Sequence, residues 1–258
     1  MKRRIIPALI LLAVFIPLLF IGGLPFEIGV TILSCLGLKE LIDIYEKENK
    51  IPKLIKFFSY LSISLLVLSQ DSLLAGISLS ILFLFIPLII FKSEEYNFKD
   101  SIFLLGIILF VGIPFYLMNN IRAVSIDETI YILLISILTD TFAYIGGKLF
   151  GKHKLLPRIS PNKTIEGSLI GLIVGVIISS LYYLLMIDPG MSIFLIICIS
   201  IIISIFGQIG DLIFSSIKRY YKIKDFSNIL RGHGGILDRF DSLITITLVY
   251  VVIKILFL

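Results

Sequence analysis

The chain has 258 residues, of which 58% are hydrophobic and only 16% are Asp, Glu, Lys or Arg. That balance excludes an ordinary soluble domain, where roughly 25% of residues are charged. The formal charge of +5 is modest, so no nucleic-acid partner is expected and the placement of the few charges matters more than their sum.

The first apolar run, 5–22, follows Lys2, Arg3 and Arg4. This order imitates a secretory signal peptide, but apolar runs continue to Leu258, and an uncleaved first span is expected. Eight more runs follow at 26–44, 54–70, 73–91, 101–118, 129–147, 166–187, 191–213 and 240–258. Each approaches the length of about 20 apolar residues that a bilayer core requires. Their continuity indicates helices, because lipid-embedded strands alternate polar and apolar residues. The expected fold is therefore an all-α polytopic membrane protein with about nine transmembrane helices. It forms one membrane domain over 1–258, with little motif content in 1–128 and the chemistry in 129–258. Basic residues in short loops orient it: with the N-terminus inside, 21 of the 23 Lys and Arg fall on the inner side, leaving only Arg122 and Lys254 outside. This predicts a cytoplasmic N-terminus and an outer C-terminus. Cys35 and Cys198 sit in apolar runs without metal-ligand spacing and read as buried, inert thiols. No repeat of about 20 to 50 residues is visible, so an inverted-repeat transporter design has no support.

The first polar constellation begins in the sixth run. Asp140, Tyr144 and Lys148 recur every four residues, on one helical face. The inner loop 148–165 follows, with Lys152, His153 and Lys154, then Ser160, Pro161, Asn162, Lys163 and Thr164. Hydroxyls, an amide and lysines suit phosphates and a nucleotide, although a basic loop that only obeys the orientation rule has a similar composition. His153 reads as a solvated loop residue.

A second constellation leaves the membrane with the eighth run. Gln208, Asp211, Ser215, Lys218 and Lys222 step by three and four residues and share a face. Snorkelling at a helix end accounts for the basic members, but a carboxylate at the membrane border is expensive and favours a functional role. The third constellation is Arg231, Gly232, His233, Gly234 and Gly235, followed by Asp238, Arg239, Asp241 and Ser242. Glycines before a helix N-terminus resemble a phosphate cradle; the same residues would also serve as a tight turn with Asp238 as helix cap. Carboxylates, cations and a glycine-rich turn on one side of the membrane suit phosphate chemistry with Mg²⁺, which is usually held by one or two carboxylates plus substrate phosphates. Asp211 and Asp238 are the best pair for it.

The stretch from Ser215 through Asp241 resembles the long C-terminal signature of the phosphatidate cytidylyltransferase (CDP-diacylglycerol synthase) family, and Asp140 through Gly167 resembles that family's other active-site block. The resemblance implies condensation of CTP with phosphatidate to CDP-diacylglycerol and pyrophosphate, at the cytoplasmic face of the cell (inner) membrane. Carried over by position, Asp211 and Asp238 are the metal-binding acids, and Lys218, Arg219 and Arg239 are phosphate ligands. Catalysis is expected to rest on Asp211, Asp238, Lys218, Arg219, Asp140 and Asp241. Substrate binding is expected from Lys148, Ser160, Asn162, Lys163, Thr164, His233, Gly234, Gly235 and Arg239. The implied partners are CTP, phosphatidate and membrane lipids, with Mg²⁺ as cofactor; a second, monovalent cation and a homodimer are compatible with the same reading. Two positions depart from the family pattern: Phe214 stands where members usually carry Glu, and Arg231 where they usually carry Pro. A CTP-using enzyme with another lipid acceptor, and an ion-coupled transporter using Asp140, Asp211 and Asp238, are the alternative readings. The second is disfavoured because the polar groups gather at one membrane border.

Overall fold

The computed structural model describes residues 13–70, 72–92, 94–188, 190–229 and 234–257. Within them the chain forms helices α1 (13–21), α2 (Gly23–Tyr45), α3 (Lys53–Leu68), α4 (72–92), α5 (Phe98–Val124), α6 (Ile126–Phe150), α7 (Ile165–Met186), α8 (Ile193–Tyr220) and α9 (Leu237–Phe257). Among the described residues, every apolar run of the sequence falls largely on one of these helices. Among the described residues, however, six helices, α4 through α9, are long and apolar enough to cross a membrane, where nine spans were expected. The shortfall has local causes. Helix α3 has 16 residues, just under the roughly 17 that a bilayer core requires. Helix α2 carries Glu27, Lys39, Glu40 and Asp43, and residues 5–12 of the first run lie outside the described region.

Helix ends follow the capping chemistry of the sequence. Ser125 stands before α6 in extended conformation, and its hydroxyl accepts from Glu128 N at 3.2 Å, satisfying one of the orphan first-turn donors. Thr164 does the same for α7 by accepting from Gly167 N. In α4, a π-helical turn at Ile81–Phe85 ends two residues before Pro87. A proline ring collides with the carbonyl four residues back and offers no N–H, and widening the turn relieves both defects.

The all-α expectation needs one correction. The loop 148–165 contains a two-stranded antiparallel hairpin, β1 (Lys154–Leu156) and β2 (Ser160–Thr164), paired Lys154 to Thr164 and Leu156 to Ser160 with an irregularity between. An isolated hairpin is marginal in water; this one rests against α6, α7 and α8.

The chain divides into two compact units. The first takes 1–123 and, after a long excursion, 225–238; the second takes 124–224 and 239–258. In the first unit Val30, Leu38, Ile55, Ile63, Leu104 and Val111 are fully buried. Tyr45 stacks on Phe103 at 3.9 Å between ring centroids and donates its hydroxyl to Asp100 at 2.5 Å.

The second unit is organised by small residues. A Cβ on Gly167 would lie 2.5 Å from Ala143 O and 2.8 Å from Gly147 Cα, and one on Gly171 would lie 2.8 Å from Ala143 Cβ. Gly167, Gly171 and Gly175 therefore form a stripe that lets α7 lie directly on Thr139, Ala143 and Gly147 of α6. Where lipid tails are as apolar as side chains, such close approach is what favours helix pairing. On α7, Leu169, Ile173, Ile177, Leu181 and Leu185 recur every four residues and are each more than half exposed, as expected of a face turned to lipid. Buried hydroxyls join the helices: Tyr131 Oη to Ser200 Oγ at 2.8 Å, and Thr139 Oγ1 to Ser204 Oγ at 2.9 Å.

Candidate active site

In the second unit the α6–α7 contact positions the polar face of α6. With Thr139, Ala143 and Gly147 committed to α7, the next residues along, Asp140, Tyr144 and Lys148, turn to one side of that seam. There they line a cavity of about 380 Å³, closed by Asn162, Lys163 and Thr164 of β2, Ser168 of α7, and Gln208 and Asp211 of α8. The volume lies within the range of roughly 300 to 1,000 Å³ typical of small-molecule sites. Two of the three sequence constellations thus meet in one place.

Electrostatically the cavity is mixed. Lys163 Nζ forms an ion pair with Asp211 Oδ2, both side chains being about three-quarters buried. Ser215 Oγ, one turn on, donates to Asp211 Oδ1 at 3.3 Å. Asp140 lies within the electrostatic reach of Asp211 and Lys163, and Asp241 within that of Asp140, Asp211 and Lys218. Asp241 itself is buried, with Oδ1 accepting from Ser242 N at 2.8 Å. The approach of α9 depends on Gly210, where a Cβ would stand 2.9 Å from Asp241 O. Three carboxylates and two lysines therefore share one region.

Several expected residues have structural partners. Thr164 caps α7 besides lining the cavity. Ser160 sits in the hairpin opposite Leu156. Arg219 reaches back to the hairpin turn, Nε donating to Ile159 O at 3.1 Å, and bonds Ile223 O at 3.3 Å. Lys148 and Arg239 are exposed and Lys218 is half-buried. Phe214 is fully buried. His233, with Leu230, Arg231 and Gly232, lies outside the described residues.

Two participants were not among the expected site residues. Ser168 and Gln208 form a reciprocal pair, Ser168 Oγ donating to Gln208 Oε1 and Gln208 Nε2 donating to Ser168 O at 3.3 Å. Ser168 could have been found as the residue one turn beyond Thr164 on the same face. Glu166 also has a defined role, accepting from Lys152 N at 3.0 Å and from His153 Nδ1 at 2.6 Å. His153 is thus tied to the base of the hairpin rather than only solvated.

The third constellation is divided: its described turn residues Gly234 and Gly235, with Asp238, belong to the first unit, and Arg239, Asp241 and Ser242 to the second. Gly234 adopts φ +83°, the left-handed region in which a side chain would be strained. Asp238 Oδ2 accepts from Gly235 N at 2.8 Å and from Phe226 N at 2.9 Å. The Ile236 and Leu237 amides donate to Glu40 at 2.8 and 3.0 Å. The Gly235 amide, expected to cradle phosphate, is thus bonded to a protein carboxylate, as are the two amides that follow it, and Asp238 ties the turn before α9 to Phe226.

Comparison with known proteins identifies the family. A model of the cytidylyltransferase family matches residues 2–257. The chain is 39% identical over 248 residues to the phosphatidate cytidylyltransferase of Staphylococcus haemolyticus, covering 94% of each chain. It is 40% identical over 251 residues to that of Staphylococcus saprophyticus and 39% identical over 251 residues to that of Staphylococcus aureus, again with 94% of each chain covered. From a match that runs through both units and every polar constellation, it follows that this chain belongs to the cytidylyltransferase family.

Proposed function

We propose that the chain transfers the cytidylyl group of CTP to phosphatidate, releasing pyrophosphate and forming CDP-diacylglycerol. The observation that carries this reading is the cavity of the second unit, where Lys148, Asn162, Lys163, Asp140 and Asp211 converge at the ends of otherwise apolar helices. A polyanionic nucleotide and a lipid phosphate need such a border: charged groups for the phosphates, beside a surface that accepts acyl chains. Membership of the cytidylyltransferase family and the names of its relatives support the same substrates.

A phosphate oxygen of phosphatidate attacks the α-phosphorus of CTP. The new P–O bond forms as the bond from that phosphorus to the β-bridging oxygen breaks, and pyrophosphate leaves with the electron pair. No protein nucleophile is needed, so catalysis consists of positioning and charge stabilisation. Lys148 and Lys163 hold the triphosphate, and Asn162 offers its amide to a phosphate oxygen. Lys163 stands within reach of Asp211 and can place its ammonium between carboxylate and phosphate. Lys218, Arg219 and Arg239 add positive charge against the developing pyrophosphate. Asp140 and Asp241 balance the lysines so that the site does not retain its anionic product.

The donor chemistry fits Mg²⁺. Among the described residues no three His, Cys, Asp or Glu form a ready cage, and Mg²⁺ characteristically takes one or two carboxylates plus substrate phosphates and waters. We assign Asp211 and Asp238 to hold it. A carboxylate has about four lone-pair sites, so the amide bonds of Asp238 do not exhaust its capacity. When bound, Mg²⁺ neutralises charge on the phosphates and on the leaving group.

We further propose nine spans in the inner membrane, with a cytoplasmic N-terminus and the segments 148–165 and 214–239 on the cytoplasmic side, where CTP is found. The test is an acceptor panel in detergent: purified protein with CTP and Mg²⁺ is given phosphatidate, a prenyl alcohol or an ether-linked lipid. Cytidine should enter the lipid fraction with phosphatidate. Transfer to either alternative with phosphatidate inert would refute the reading.

A further inference from the structure

Glu40 lies near the end of α2, in the half of the chain that carries no recognisable motif, and is 1% exposed. A carboxylate so buried is costly unless its lone pairs are satisfied. Ser227 Oγ donates to Oε1 at 2.6 Å, Ile236 N to Oε1 at 2.8 Å and Leu237 N to Oε2 at 3.0 Å. Two of these donors are backbone amides at the start of α9, where orphan N–H groups and the positive end of the helix dipole favour an anion. The cap comes from a different helix. The fit is close: a Cβ on Gly235 would stand 2.5 Å from Glu40 Oε2, and one on Gly37, a turn before Glu40, would lie 3.0 Å from Leu237 Cδ2.

Asp238 holds the same turn from the other side, through Phe226 N and Gly235 N. Two carboxylates thus share the amides of three consecutive residues, 235 to 237, and tie them to Phe226 and Ser227. Without Glu40, the Ile236 and Leu237 amides and the Ser227 hydroxyl lose their common acceptor, and the turn that fixes the Asp238 carboxylate loses half of its anchors.

We propose that Glu40 is a positioning residue for cytidylyl transfer: it clamps the glycine-rich turn so that the Asp238 carboxylate is held in a single orientation. This rests on the assignment of Asp238 as a metal-holding acid. It gives the N-terminal unit a part in the reaction rather than a purely scaffolding one.

The test compares Glu40→Gln, Glu40→Asp and Ser227→Ala with the unaltered full-length enzyme. For each, kcat, the KM for phosphatidate and the Mg²⁺ concentration for half-maximal rate are measured well below Tm. Tm itself and hydrogen–deuterium exchange of the 226–238 segment are followed in parallel. Glu40→Gln should lose about 10- to 100-fold in kcat per folded enzyme, the usual cost of removing a group that orients a metal ligand. Its Mg²⁺ requirement should rise, the KM for phosphatidate should stay, and the 235–237 amides should exchange faster. Ser227→Ala, which leaves both amide bonds intact, should show the same pattern more weakly. Unchanged kcat and Mg²⁺ requirement per folded molecule in the Glu40 variants, or failure of both to fold, would assign Glu40 to the fold and overturn the proposal. If Glu40→Gln were normal while Asp238→Asn was inactive, this inference alone would fall; a normal Asp238→Asn would remove the assignment on which it rests.

Discussion

Replacing Asp211 with Asn should separate catalysis from stability. The substitution keeps size and leaves an oxygen to accept from Ser215 Oγ. It removes one negative charge from a region shared with Asp140 and Asp241. The effect on stability has two opposing parts. At an effective dielectric of about 20, unit charges about 4 Å apart attract by roughly 4 kcal/mol. The Lys163–Asp211 side chains remain 28% and 22% exposed, so solvent screening reduces the net worth of the pair to about 1 kcal/mol. Relief of repulsion from the two neighbouring carboxylates acts in the opposite direction. Thermal stability should therefore change little. Activity should fall about 10²- to 10³-fold, or roughly 3 to 4 kcal/mol of transition-state stabilisation, because a group placed for developing charge is lost. The assay is incorporation of cytidine from labelled CTP into phosphatidate across a Mg²⁺ titration, alongside a melting curve in the same detergent. A variant retaining near wild-type kcat/KM at limiting Mg²⁺ would refute the assignment. A large drop in Tm would show instead that Asp211 holds the helices together.

Asp238→Asn should behave differently, losing activity and also about 1.5 to 3 kcal/mol of stability, because its carboxylate takes two backbone amides by charge-assisted bonds; a Tm unchanged from wild type would contradict this anchoring of the turn. Lys163→Ala should lower kcat/KM for CTP well beyond any effect on Tm, and equal losses of both would favour a structural lysine. Gly167→Ala should destabilise by about 1 to 3 kcal/mol, since its new methyl meets backbone atoms of Ala143 and Gly147 that cannot rotate away; thermal melting reads this directly. Single cysteines at the exposed positions Lys154 and Asn228, on a background without Cys35 and Cys198, should react with an impermeant thiol reagent only in inside-out vesicles, and labelling of intact cells would reverse the topology.

The helices were legible because each apolar run is continuous, whereas the caps at Ser125 and Thr164 emerged only from the structure. The hairpin at 154–164 was not, because its strands carry Lys, Pro and Asn rather than β-branched alternation and are supported by neighbouring helices. On the site side, Asp140, Lys148, Lys163 and Asp211 were readable from helical spacing and the family resemblance. Their convergence depends on the glycine stripe of α7, whose meaning appears only once its partner on α6 is known. Glu40 gave no signal at all: an acid between Lys39 and Asp43 near the end of an apolar run looks like a helix-end charge until the glycine-rich turn, nearly two hundred residues later, is seen to fold onto it. That turn read as an anion cradle because exposed amides and occupied amides have the same sequence.

The central claim, transfer of a cytidylyl rather than a phosphoryl group, is tested most directly by isotope position. Purified enzyme with phosphatidate and Mg²⁺ is given CTP labelled at the α-phosphorus in one reaction and at the γ-phosphorus in another. The account predicts α-label in the lipid product and γ-label in released pyrophosphate, with both lost together in Asp211→Asn. Lipid carrying the γ-label would mean a kinase-type reaction and would contradict it.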